Sequence, residues 1–272
     1  MKSHLEFTTI IGNGNGGPCY VNCKRYCPQE IIVEMLGGVT PKILPLDDFK
    51  NLLSTISKDV GIIFGGVSEP FQNPGTADMI LHAHKEGHRI ICFSTLTGLN
   101  LYEAIRLCEI PFEKFVIHLP DSCGNAHIPL TGNYETVLAY MLSHLKNKQT
   151  MSMDESFVSD NHENIFRDHP PKSKKGKVCC YKHEVPDYMV LPNGDVFYCC
   201  QCKGLTEKVG NLYEESYQEL AAKHPAITKR LQNDPNSLCH VCSISQTKWK
   251  YDLISYKNKK FGDKPTLDII FG

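Results

Sequence analysis

The sequence predicts an α/β protein: a partial parallel β/α barrel followed by a small cysteine-rich unit. Three observations predict it. Near-continuous apolar runs alternate with amphipathic stretches of helical period, which is the pattern of parallel β/α units. Near residue 160 that alternation gives way to a proline- and lysine-rich stretch, a hairpin signal and a further helix. The chain has 13 cysteines, bunched rather than spread. A chain of 272 residues suffices for one large domain with a smaller appendage.

The elements follow in order. Residues 5–11 read as a strand entering the glycine-rich stretch from Gly12 to Pro18, a loop that lets the backbone approach something closely. Its spacing matches neither the phosphate-binding P-loop nor the dinucleotide fingerprint, so it reads as shielding for the cysteines behind it. Asp47 to Ile56 is a helix with Leu46, Phe49, Leu52, Leu53 and Ile56 on one face. Val60 to Phe64 is a buried strand, Ala77 to Lys85 a helix stopped by Gly87, and Arg89 to Phe93 the next strand. Leu101 to Ile110 is a helix with Leu101, Ala104, Ile105 and Cys108 inward. Phe115 to Leu119 is a strand, Tyr134 to Leu145 a helix, and a fifth strand is placed near Met151 to Val158.

Asp168 to Lys177 reads as a solvated linker. Beyond it, Tyr188–Leu191 and Val196–Tyr198 flank Asn193-Gly194, a strong hairpin marker. A helix from Ser216 to Lys223 precedes the last cysteine pair. The resulting division is a partial (β/α) TIM-like barrel over 1–165, a linker over 166–178 and a cysteine-rich hairpin-plus-helix domain over 179–272.

The formal net charge of −1 gives no global attraction to nucleic acid or an acidic membrane. The basic stretch from Lys248 to Lys264, with Trp249, Tyr251 and Tyr256, reads as a solvated segment packed by its aromatics. The N-terminus lacks the apolar core of a secretion signal, and no run approaches the ~20 apolar residues that span a bilayer. These features predict a cytoplasmic protein, and in a reducing compartment bunched cysteines mean metal more often than disulfides.

Cys19, Cys23 and Cys27 lie in Cys-Tyr-Val-Asn-Cys-Lys-Arg-Tyr-Cys-Pro. Three thiols on one loop can hold three irons of a four-iron cluster and leave the fourth iron open to a small molecule. Structural zinc takes four ligands, often as two close pairs. Three cysteines at four-residue steps do not make that arrangement alone, so zinc stays the alternative only with a ligand from elsewhere.

With this loop in view, most of the chain resembles the radical S-adenosylmethionine (SAM) superfamily. The family's loop is commonly one residue shorter between its second and third cysteines, with an aromatic residue before the third, and here Tyr26 precedes Cys27. Gly65-Gly66-Val67-Ser68-Glu69-Pro70 resembles the family's Gly-Gly-Glu-Pro segment, whose backbone meets the SAM amino group. Ser94-Thr95-Leu96-Thr97-Gly98 resembles the position whose polar groups lie near the SAM carboxylate or ribose. His118-Leu119-Pro120-Asp121-Ser122 ends the next strand. All of these fall at carboxyl ends of strands, where parallel barrels place their sites. The resemblance implies Cys19, Cys23 and Cys27 as cluster ligands. It implies Tyr26, Gly65, Gly66, Glu69, Ser94, Thr95 and Asp121 around SAM. His118 reads equally as a core residue.

The downstream cysteines are Cys179, Cys180, Cys199, Cys200, Cys202, Cys239 and Cys242. Cys199 with Cys202 and Cys239 with Cys242 also have the pairing of a tetrahedral zinc site. Neighbouring strand residues point to opposite faces, so one of each adjacent pair aims at the metal. The order of hairpin, Gly210-Asn211-Leu212, helix and late Cys-x2-Cys resembles the twitch domain, the shortened SPASM domain of some radical SAM enzymes. That resemblance implies an auxiliary four-iron cluster on Cys180, Cys199, Cys239 and Cys242.

The implied function is reductive cleavage of SAM to a 5′-deoxyadenosyl radical that abstracts hydrogen from a small-molecule or peptide substrate. With a second cluster the outcome is a net two-electron oxidation. An electron donor such as flavodoxin or ferredoxin is implied as partner. The rival expectations are a non-oxidative radical transferase or isomerase, and a non-enzymatic zinc-binding module.

Overall fold

The computed structural model describes residues 2–15, 19–21, 23, 32–34, 36–37, 42–122, 124, 126–152, 173–201, 205–242 and 244–261. Its centre is a mixed sheet. Strands β1 (His4–Phe7), β2 (Gly61–Phe64), β3 (Ile90–Ser94), β4 (Lys114–Leu119) and β5 (Lys148–Ser152) pair in parallel, each with the next. The helices between them are α1 (Leu46–Ser54), α2 (Thr76–Lys85), α3 (Leu101–Cys108) and α4 (Gly132–His144). This is the predicted run of β/α units.

The helical faces follow the sequence period with one exception. On α1, Phe49, Leu52 and Leu53 are buried, as expected. On α3, Ala104, Leu107 and Cys108 are buried, whereas Ile105, expected inward, is exposed. At 100° per residue, 104, 107 and 108 share the inward side and 105 turns away. Asn100 and Glu103 form a capping box that fixes where α3 begins.

Two strands differ from expectation at their ends. The first ladder ends at Phe7, after which Thr9, Ile10 and Ile11 run antiparallel beside residues 42–44. β5 begins at Lys148, earlier than the run near Met151, and 153–158 lie outside the described residues. Its position is set by pairing to β4 (His118 opposite Met151) rather than by an apolar pattern, because Lys-Gln-Thr-Met-Ser carries little of one.

The cysteine-rich part is β6 (Val178–Cys179), β7 (Asp187–Val190), β8 (Asp195–Phe197), β9 (Lys208–Asn211), α5 (Tyr217–Asn233), α6 (Leu238–Val241), β10 (Gln246–Thr247) and α7 (Lys248–Phe261). The predicted hairpin is β7–β8. Helix α5 extends ten residues past Lys223, through Pro225. An internal proline costs about 3 kcal/mol. Leu220, His224, Thr228 and Leu231 keep one buried face across it, and that packing outweighs the cost.

The hairpin does not sit apart from the barrel. β7 pairs in parallel with β1, so the sheet order is β5-β4-β3-β2-β1-β7-β8-β9. β1 lies between the two parts, and its Leu5 and Phe7 are fully buried. Among the described residues no helix is long and apolar enough to cross a membrane.

The loops after β2 and β3 touch closely. Gly98 has φ +99°, and a Cβ there would lie 2.4 Å from the Phe71 carbonyl oxygen. Gly87 has a similar φ of +91° with open space around it. Gly87→Ala is expected to cost ~1 kcal/mol from backbone strain alone. Gly98→Ala is expected to cost about 2–3 kcal/mol, because strain and a backbone clash add. Chemical denaturation of both variants checks this; equal losses would mean that the contact is not tight in solution.

Candidate functional site

The carboxyl edge of the parallel strands carries the first group of predicted residues. Glu69 follows β2 and is 6% exposed. Its Oε1 accepts from Ser94 Oγ at 2.6 Å and from the Phe71 N–H at 3.2 Å. Its Oε2 accepts from the Thr95 N–H and Thr95 Oγ1, both at 2.7 Å. Burial pushes the Glu69 pKa up, and the bonds from Ser94, Thr95 and Phe71 oppose that. Ser94 and Thr95, each read from the sequence as a SAM contact, are therefore bonded to Glu69, a third such residue. Their carboxylate and hydroxyls lock the β2 and β3 loops together.

The β1 loop joins the same bracket. Thr9 Oγ1 and Thr76 Oγ1 both donate to the Pro70 carbonyl, at 3.2 and 2.6 Å. Asn73 Nδ2 donates to the carbonyls of Thr9 and Leu44, each at 2.9 Å. The Gly12 N–H donates to Ser68 Oγ at 3.0 Å. Three consecutive strand ends are thereby held in one arrangement.

Gly65 and Gly66 lie in the middle of this edge. Gly66 has φ +86°, and a Cβ would fall 2.0 Å from Thr8 Oγ1. The Gly66 N–H donates to Glu6 Oε1 at 2.9 Å. Thr8 is fully buried, and its Oγ1 has no hydrogen-bond partner among the described residues. A buried hydroxyl without a partner is rare in proteins and marks a place where a further polar group fits.

Cys19 and Cys23 are buried, 3% and 7% exposed. The carbonyl of Val21, between them, accepts from the His127 N–H at 2.7 Å. Asp121, after β4, accepts from the Ala126 N–H at 3.0 Å and so shapes the turn that carries His127. Asp121 thus supports the cysteine loop from the β4 side. Tyr26 and Cys27 lie outside the described residues. His118 is partly open, yet burial brings its pKa down to about 4, which keeps the imidazole neutral.

The second group forms at the opposite edge. β8 runs antiparallel to β7, so Cys199 emerges at the amino end of β1 and β7. Cys180, Cys199, Cys239 and Cys242 line one small cavity that is partly open to solvent. Cys179 and Cys200 do not line it. Cys179 lies in β6 opposite Gln246, and its Sγ accepts from Gln232 Nε2 at 3.8 Å. Pairing of β6 with β10 draws Cys180 towards the Cys239–Ile244 turn. Lys174 Nζ donates to the Cys242 carbonyl at 2.5 Å, and Ser245 Oγ does so at 2.9 Å. Burial pushes the Cys180 thiol up to about 12. A metal that displaces the proton stabilises such a site. Cys202 lies outside the described residues.

Three neighbours of this cavity were not singled out by sequence reasoning. Lys182 is buried and ion-paired with Asp187. Burial works against the Lys182 ammonium, but Cys200 and Asp187 outweigh it and hold the pKa above the usual lysine range. Tyr198 stacks on His224 with centroids 5.1 Å apart and donates or accepts at Thr228 Oγ1. His183 Nε2 lies 3.5 Å from Cys239 Sγ. The sequence signal for Lys182 and His183 was their nearness to Cys180; that for Tyr198 was its place before Cys199.

Comparison with known proteins agrees with this layout. Residues 179–243 match the SPASM model, described as an iron–sulfur cluster-binding domain. The fold is shared with AdoMet-binding proteins of known structure. BtrN in complex with AdoMet and 2-DOIA superposes with a TM-score of 0.59 at 16% identity, over 85% of this chain and 87% of that one. BtrN in an open conformation gives 0.58 at 16% identity, over 93% and 98%. Native anSMEcpe with bound AdoMet gives 0.51 at 12% identity, over 90% and 86%. No curated protein matches the chain by sequence. The chain thus shares the fold of these AdoMet-bound proteins, and its C-terminal part matches the model of an iron–sulfur cluster-binding domain.

Glu69→Gln places an amide N–H₂ where two donors already converge on one oxygen. We expect a loss of about 2–3 kcal/mol in unfolding free energy, measured by denaturant titration, since a buried mismatch costs more than a lost bond. A change within 0.5 kcal/mol, the range of an ordinary surface substitution, would show that the bracket is not what holds the loops.

Proposed function

We propose that this protein is a radical SAM oxidoreductase that removes two electrons from a small-molecule or peptide substrate held between the two edges of its barrel. The observation that carries this is the sharing of one strand pair by two cysteine sites. The carboxyl end of β1 leads to Cys19 and Cys23, and the amino end of β7, its neighbour, lies beside the Cys180–Cys242 cavity. The AdoMet bound by BtrN and by anSMEcpe supports the choice of cofactor, and the 2-DOIA and Cp18Cys peptide in their structures support the two substrate classes.

The residues present fit both groups. At the first edge the fit is made of two buried thiols and the unpartnered Thr8 hydroxyl, packed against Gly66. At the second it is made of four thiols around one cavity. If a cluster and SAM were held at the first cysteine site, they would supply a 5′-deoxyadenosyl radical for hydrogen abstraction, and a cluster on the second set of cysteines would accept the remaining electron.

The chain's own residues then have distinct roles. Cys19, Cys23 and Cys27 hold the first cluster, and Cys180, Cys199, Cys239 and Cys242 the second. The backbone of Gly65 and Gly66 meets the SAM amino group, and Tyr26, which precedes Cys27 in sequence, is assigned with them to SAM binding. Glu69, with Ser94 and Thr95, positions the backbone rather than touching the reacting atoms. Asp121 steadies the cysteine loop through residues 126 and 127. Segments 1–165 and 179–272 are the two functional parts, joined by the linker 166–178. A flavodoxin- or ferredoxin-like donor reduces the first cluster, in a cytoplasmic setting.

Anaerobic reconstitution is expected to load about eight irons per chain, and reduced protein to release 5′-deoxyadenosine from SAM. Cys23→Ala should load about four irons and release none. Cys180→Ser should also load about four, while Cys179→Ser keeps all eight. Full SAM cleavage in Cys23→Ala would remove the first site from the mechanism, and zinc in place of iron would make the protein a binding module.

A further inference from the structure

His183 stands out because it faces a thiol that the proposed chemistry needs, and because its orientation is held from behind. It follows β6 in the short turn Tyr181–His183 and is buried. Its Nε2 faces Cys239 Sγ at 3.5 Å, within hydrogen-bonding range for sulfur. On the far side of the ring, Nδ1 faces Gln232 Nε2 at 3.3 Å. The Gln232 amide nitrogen can only donate, so Nδ1 accepts and the ring proton resides on Nε2. That proton points at the sulfur. Gln232 is placed by the last turn of α5, and its amide also reaches Cys179 Sγ. The arrangement spans three elements: the Cys180 turn, α5 and α6.

We propose that His183 is a positioning residue that donates an Nε2–H···Sγ hydrogen bond to Cys239 and thereby raises the reduction potential of the second cluster. This rests on the reading of the Cys180–Cys242 cavity as a cluster site. A hydrogen bond to a ligating sulfur withdraws electron density from the iron–thiolate bond and stabilises the reduced cluster, which carries one more negative charge. The direction suits an electron acceptor. A site meant to deliver electrons to SAM would be served by the opposite bias. Gln232 has the role of a tautomer lock, as the outer partner of a metal-site histidine does. The adjacent Lys182–Asp187 pair adds buried charge to the same wall, and the Lys182 backbone N–H bonds the Cys180 thiol.

The experiment is an EPR-monitored redox titration of the reconstituted chain in a Cys19→Ala/Cys23→Ala background, so that only the second cluster is present. His183→Ala should load the same iron as its parent and show a midpoint shifted to more negative potential. His183→Gln retains an N–H donor of similar reach and should return the midpoint towards the parent value. Gln232→Ala leaves the imidazole in place without its lock and should shift the midpoint in the same direction by less. A merely structural loss would admit water to the cluster without rescue by His183→Gln. An unchanged or more positive midpoint in His183→Ala overturns the proposal while leaving the cluster assignment intact. If His183→Ala fails to load iron, Gln232→Ala decides by the same criterion. Absence of iron from the parent background overturns the cluster reading and the proposal with it.

Discussion

The carboxylate of Glu69 is the contact on which the first site depends. A buried acid is tolerated only when its oxygens are satisfied, and here four donors from the β2 and β3 loops converge on it. Those donors come from residues that in sequence look like ligand contacts. Drawn inward, they fix the backbone of Gly65, Gly66 and Thr95 along the strand ends. Pro70 and Asn73 extend the bracket to β1, so the cysteine loop leaves a rim that is already rigid. Rigid presentation would serve the radical chemistry proposed for this site, in which the reacting carbon must lie close to its target while water stays out.

The second site depends on the first through a single strand pair. β7 extends the barrel sheet by pairing with β1, which makes the cysteine-rich unit a continuation of the core. Tyr188 is fully buried and Tyr198 nearly so, and they pack with His224 beneath the cavity. Unfolding the hairpin would therefore expose part of the main core as well. Two cysteine sites joined through one strand pair keep a fixed separation, which the sequential one-electron steps proposed for them would require.

The sequence displayed much of this. Apolar runs of strand length between amphipathic helices identified the parallel units, because a strand buried on both faces has few alternatives. Asn193-Gly194 identified the hairpin, since Gly194 sits at φ +80° in the turn. Alternation of strand faces predicted that one cysteine of each adjacent pair turns to a common site without choosing which, and the cavity is lined by Cys180 and Cys199 rather than Cys179 and Cys200. Less legible were the continuation of α5 through Pro225 and the early start of β5. In both, packing against a neighbour overrode the local signal.

Local chemistry, then, was determined by the sequence alone: which residues turn, which alternate, and which cysteines are bunched in the chain. Those properties are set over a few residues by sterics and by ligand type. Only the tertiary structure decided that Glu69, Ser94 and Thr95 bond to each other, that β1 carries both sites, and that His183 faces Cys239 with Gln232 behind it. These are contacts between segments 25 to 183 residues apart in sequence. No local pattern encodes such pairings, because they are chosen by the packing of whole elements around one core.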